Sequence, residues 1–149
     1  MEYVANIPSE TIGELTARFT RALAADDINA YCSTFRDYLK LIPHNIIVER
    51  EKFFQSTFYS MALLVDPRVI FSEVATDRGY IDVVLHGAKK TFVMEFKEGK
   101  SPELAMKQIL AKKYYEQSVI QGEQVVLVGI NFDVEAKGVE VAWKIKELS

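Results

Sequence analysis

Up to Val65 the apolar residues recur at helical spacing, and from Val69 onward the period shortens to that of strands. Ile12, Leu15, Phe19, Ala22 and Leu23 form one stripe of a helix predicted over residues 9–25. Ser9 stands at its N-cap behind Pro8, and Glu10 suits its first turn. Asp26-Asp27 restarts a helix through about Ile42, with Ile28, Tyr31, Phe35, Tyr38, Leu39 and Ile42 at helical spacing until Pro43 stops it. A third helix is predicted from about Val48 to Val65, with Phe54, Phe58, Met61, Ala62 and Val65 inward.

Strand patterning follows. Val69, Phe71 and Glu73 lie in a stretch that ends near the turn Thr76-Asp77-Arg78-Gly79. Residues 80–85 form a second strand, His86-Gly87-Ala88-Lys89 a turn, and residues 91–97 a third strand. Ser101 and Pro102 open a helix over about residues 102–119, which Gly122 ends. Residues 124–130 are almost continuously apolar, as in a strand covered on both faces. Residues 139–145 make a last strand with Val139, Val141 and Trp143 on one face. Short turns make the first three strands a meander, and the helical crossover makes the fourth a candidate for parallel pairing. The fold class is α/β, with a two-helix N-terminal extension over residues 1–47 and a layered domain over residues 48–149.

Composition narrows this picture. A chain of 149 residues, 49% hydrophobic, fits one domain with a core of its own. The single Cys32 excludes an internal disulfide and fits a reducing compartment, while His44 and His86 lack zinc spacing. A formal net charge of -3 gives no bulk attraction to nucleic acid, so any such contact needs a local basic patch. Neither a secretory leader nor an apolar run of membrane-spanning length is visible. The expectation is a soluble, cytoplasmic protein.

Three polar residues interrupt otherwise apolar strands: Asp82 in Tyr80-Ile81-Asp82-Val83, and Glu95 and Lys97 in Met94-Glu95-Phe96-Lys97. Alternation puts Glu95 and Lys97 on one face, and a hairpin can bring Asp82 to that face. Two carboxylates beside a lysine suit a hard cation such as Mg²⁺. Such a cation activates water and offsets phosphate charge, and the lysine orients the water and stabilises the transition state. Taken alone, the pattern is short, and a solvated rim or a structural ion pair is its commoner meaning. Two observations favour the chemical one: charge in buried strands is costly, and Gln108 sits between Leu104, Ala111 and Tyr115 on the next helix. A glutamine there is either satisfied in the core or reaches toward the site.

From residue 71 to residue 132 the chain resembles the PD-(D/E)XK nuclease domain found at the C-terminus of bacterial AAA-ATPase-like proteins. The resemblance rests on Glu73, Thr76 to Gly79, Asp82, Glu95-Phe96-Lys97, Ala105 to Ile109 with Gln108, Tyr115, and Val128 to Phe132. Residues 1–65, with Ile7-Pro8 before the first helix, resemble the helical segment that joins ATPase to nuclease. The resemblance implies a restriction-endonuclease-like α-β-β-β-α-β core, a central mixed sheet flanked by helices. It further implies Asp82 and Glu95 as ligands of Mg²⁺ or Mn²⁺, and Lys97 as the catalytic lysine with Gln108 beside it. Glu51 matches the family's helical acidic residue, with Glu49 as a competitor, and Glu73 has a supporting place. The implied partners are nucleic acid, DNA before RNA, and an ATPase-like domain; no membrane is implied. One departure is Tyr80, where the family usually has a basic residue two positions before the strand Asp. Two readings follow: a metal-dependent nuclease, or a catalytically silent module of the same fold used for interaction in a larger assembly.

Overall fold

The computed structural model describes residues 9–68, 70–76, 79–113, 115–116 and 121–148, with backbone alone for residues 9, 10, 72–76, 79 and 80. Among them are four α-helices: α1 (Ser9–Ala24), α2 (Ile28–Leu39), α3 (Glu51–Val65) and α4 (Pro102–Lys112). Five strands accompany them: β1 (Ile70–Thr76), β2 (Gly79–His86), β3 (Lys90–Glu98), β4 (Gln124–Glu135) and β5 (Gly138–Glu147). The strands form one mixed sheet in the order β1-β2-β3-β4-β5. Short connections make β1, β2 and β3 antiparallel neighbours, as they do β4 and β5. α4 carries the chain back across the sheet, so β3 and β4 run parallel, the pairing expected from a helical crossover. This is the expected α-β-β-β-α-β core, starting at α3, with β5 added.

Each face of the sheet has its own core. On one face Phe54, Phe58 and Ala62 of α3, with Phe19, Tyr31 and Phe35 of α1 and α2, pack on Met94, Phe96, Val128, Ile130 and Phe132. Their rings touch in sequence. Phe54 stacks on Phe132 at 4.5 Å, Phe58 meets Phe96 edge-on at 5.2 Å, and Tyr31 lies 5.7 Å from Phe58. On the other face Met106 and Ile109 of α4 cover Val93, Val125 and Leu127. β4 is covered from both sides, which is why its side chains are buried without alternation from Val125 to Phe132.

Several expected boundaries shift for local reasons. α2 starts after Asp27, whose carboxylate caps it by accepting from the Ala30 N–H, and it ends at Leu39. Its expected continuation to Ile42 is a run of turns instead. Asp26 adopts a left-handed φ of 52° and turns its carboxylate to the β2–β3 turn, accepting from Lys89 N at 3.0 Å and Lys90 N at 3.2 Å. α3 starts at Glu51, because Val48 lies outside the helix and Arg50 is extended. β4 extends five residues past Ile130. The expected stripe of Leu104, Ala111 and Tyr115 is corrected: α4 buries Ala105, Met106 and Ile109, while Leu104 is 42% exposed. The physical cause is Gly129. A Cβ there would lie 2.6 Å from Pro102 O and 2.8 Å from Met106 N, so α4 rests its backbone on the glycine and turns that flank inward. The helix expected to reach residue 119 is corrected: α4 ends at Lys112, where Lys113 takes a left-handed φ of 54°. Val69, the turn residues 77 and 78, the expected N-cap side chain of Ser9, and residues 117–120 lie outside the described residues.

Candidate metal centre

Phe96 anchors the site from behind. Its ring lies in the aromatic core, so alternation turns its neighbours Glu95 and Lys97 to the opposite face of β3, the face that α4 covers. The register of β2 on β3 pairs Val83 with Met94, which sets Asp82 opposite Glu95. The ladder runs from His86↔Thr91 to Val83↔Met94, and beyond it side chains serve the backbone. Asp82 Oδ2 accepts from the Phe96 N–H at 3.0 Å, and the Asp82 carbonyl accepts from Gln55 Nε2 at 2.9 Å. At this fork the first turn of α3 brings Glu51 in from the other side of the sheet. One carboxylate oxygen from each of Glu51, Asp82 and Glu95 lies within 4.8 Å of the other two.

Asp82 and Glu95 are buried, 8% and 3% exposed, and Glu51 is half-buried. Crowding has an electrostatic cost. Burial pushes the Glu95 carboxyl up to about 9, helped by a hydrogen bond to Asp82 and the Asp82 charge, and opposed by Lys97 and Lys112. Glu51 is raised as well, first by burial and also by Asp82, against the pull of Lys97, Lys52 and Lys100. Even four nearby lysines leave two of the three acids biased toward the neutral form. A divalent cation would relieve that crowding, and an all-oxygen donor set suits Mg²⁺ or Mn²⁺. The residues present therefore fit such an ion.

The structure brings Asp82, Glu95 and Glu51 together, and Lys97 stands on the Glu95 side of β3 close enough to act on both glutamates. Between the two helical candidates, Glu51 joins the cluster, whereas Glu49 lies exposed ahead of α3. Gln108 is half-buried on α4 and, among the described residues, has no hydrogen-bond partner for its side chain, so none links it to the acids. Glu73 belongs to β1, and its side chain, like that of Tyr80, lies outside the described residues. Sequence reasoning missed Gln55, Lys52, Lys100 and Lys112. Gln55 carried a readable signal, being a polar amide between the apolar Phe54 and Phe58. Lys112 carried another, since it extends the buried spacing of Ala105 and Ile109.

Comparison with known proteins agrees with the geometry. The family model described as the PD-(D/E)XK nuclease superfamily matches residues 49–142. A relative from Azotobacter chroococcum mcd 1, described only as an uncharacterized protein in the vnfD 5' region, is 29% identical over 133 residues, 83% of this chain. The chain spans 25% of that relative's length. A mixed sheet with helices on both faces, an acidic cluster where β2 and β3 part, and a family match over most of the chain lead to one conclusion: this protein belongs to the PD-(D/E)XK nuclease superfamily.

Proposed function

We propose that this domain hydrolyses phosphodiester bonds in DNA with a divalent cation, Mg²⁺ or Mn²⁺. The observation that carries the reading is the convergence of Glu51, Asp82 and Glu95 beside Lys97. The three acids would hold the ion. When bound, it supplies a lowered pKa for water and a counter-charge for the phosphate. Lys97 donates to the attacking water and to the negative charge that grows on the phosphate oxygens, an interaction strongest in the transition state. Gln108 would assist from α4, one helical turn before Lys112 on the same flank.

A chain of net charge -3 needs a local basic patch to hold a polyanion, and Lys52, Lys97, Lys100 and Lys112 supply it around the acids. Lys52, Lys100 and Lys112 are exposed. The resemblance to nucleases that follow an ATPase part supports a role as a module beside such a domain, with residues 1–47 as the joining segment. The buried Cys32 thiol suits a cytoplasmic setting. Tyr80, in place of a basic residue, favours the second reading, a silent module that uses the fold for interaction.

The deciding measurement is single-turnover cleavage of DNA and RNA with Mg²⁺ and Mn²⁺, beside metal affinity. Lys97→Ala is expected to abolish cleavage while metal affinity changes little, and Lys97→Arg will not restore the full rate, because a planar fork cannot replace a compact ammonium. If the wild type cuts no DNA or RNA with any metal, the silent-module reading replaces the nuclease one. Alanine at both Lys100 and Lys112 is expected to lower the slope of log affinity for DNA against log salt by about two.

A further inference from the structure

We infer that Gln55 is a positioning residue for the metal centre: from α3 it holds the Asp82 backbone, and so sets the distance between the helical acid and the strand acids. The inference rests on the metal-site reading above. Glu51 and Gln55 are one turn apart on α3, so they share a helix flank. Glu51 reaches the cluster, and Gln55, 3% exposed, donates through Nε2 to the Asp82 carbonyl at 2.9 Å. Gln55 Oε1 accepts from Lys52 Nζ at 3.1 Å, which orients the amide with its N–H groups toward β2.

No covalent path shorter than the α3–β1–β2 connection links Glu51 to Asp82. Phe54 and Phe58 bind α3 to β3 and β4 through their rings, and Val83 and Leu85 of β2 join the same apolar core, a contact that does not fix the Asp82 backbone by hydrogen bonding. Gln55 makes a buried hydrogen bond that ties α3 to β2 at Asp82. The Asp82 carboxylate receives the Phe96 N–H on the far side, so the residue is held from α3 at its carbonyl and from β3 at its side chain. Moving the carbonyl shifts the carboxylate relative to both glutamates. Partners that act behind a ligand in this way typically alter metal affinity by about 10- to 100-fold when removed.

The test compares Gln55→Met, which keeps the volume and removes the amide, with Thr34→Val, which removes the part-buried hydrogen bond of the buried Thr34 to Ala30 O in α2, away from the centre. Gln55→Glu serves as a second variant if the methionine protein does not fold, because it keeps an oxygen for Lys52 and loses the donor to Asp82. Two quantities are read on folded protein: Mn²⁺ affinity by calorimetry, and hydrogen exchange of the Phe96 amide without metal. Expected are a loss of Mn²⁺ affinity of about tenfold or more and faster Phe96 exchange in the Gln55 variants, with neither change in Thr34→Val. Equal effects in the Gln55 and Thr34 variants would reduce Gln55 to ordinary core stability and overturn the inference. A wild type that binds no Mn²⁺ would overturn the metal reading instead, and Phe96 exchange would then judge Gln55 by itself.

Discussion

Glu95 keeps its proton to about 9 because it is buried against Asp82, whereas a divalent cation accepts only the carboxylate form. The two states of the centre therefore respond to pH in opposite directions. Without metal, the folded protein binds a proton on Glu95 that the unfolded chain releases near the ordinary glutamate value of 4.5. Its contribution to stability is fully present below that value and is lost as pH rises toward about 9. With metal, the proton is displaced, so Mn²⁺ affinity should rise about tenfold per pH unit between about pH 6 and about pH 8. Calorimetry in buffers of different ionisation enthalpy will read about one proton released per ion. Zero protons released, or an affinity flat with pH, would show that Glu95 is already ionised. Asp82→Asn should remove only part of the pH dependence, because the charge beside Glu95 is gone while burial, the larger cause, remains. Asp82, Glu95 and Lys97 were legible at this scale, because a polar residue in a buried strand stands out against its neighbours. Glu51 and Glu49 were not separable, since two acids near a helix start look alike until the first turn is fixed. Lys52, Lys100 and Lys112 escaped notice because a net charge averages over the whole surface.

At the scale of elements, α4 lies against β4 at Gly129, the residue paired with Glu95 across the β3–β4 ladder. Gly129→Ala drives a methyl into the Pro102 carbonyl and the Met106 amide, backbone atoms that cannot rotate away. Over-packing of this kind costs about 1–3 kcal/mol, and α4 must lift or tilt to absorb it. A chemical-denaturation midpoint lowered accordingly is the expected outcome; an unchanged midpoint would mean that the helix gives way freely. The types of all these elements followed from periodicity, and the parallel β3–β4 pairing followed from the crossover. The face of α4 did not. The residues at 104, 108, 111 and 115 and those at 105, 106 and 109 both recur at helical spacing, and the flanks differ by about 100° around the axis. Only the contact with a glycine on another strand decides between them, and no local pattern contains it.

For the whole molecule, the division at residue 48 is the point that patterning left most open. Three helices in series read as an extension plus a domain, yet Phe19, Tyr31 and Phe35 belong to the same core cluster as Phe96 and Phe132. Asp26 adds a polar tie from the α1–α2 corner to the β2–β3 turn, the far end of the hairpin that carries Asp82 and Glu95. Gly87 in that turn leaves room for it, since a side chain there would overlap the Asp26 carboxylate. On this packing, α1 and α2 should unfold together with the sheet rather than ahead of it.

The sole tryptophan is placed to report on that question. Trp143 on β5 donates its indole N–H to Asn29 at 2.9 Å and lies 5.9 Å beneath the Arg36 guanidinium, both residues of α2. Its fluorescence is therefore a built-in optical gauge of the seam between the N-terminal helices and the sheet. In a urea titration, emission from Trp143 and far-ultraviolet circular dichroism should trace one superimposable transition. A shift in emission that precedes the loss of ellipticity would reveal α2 leaving a sheet that still stands, and would make residues 1–47 a detachable arm.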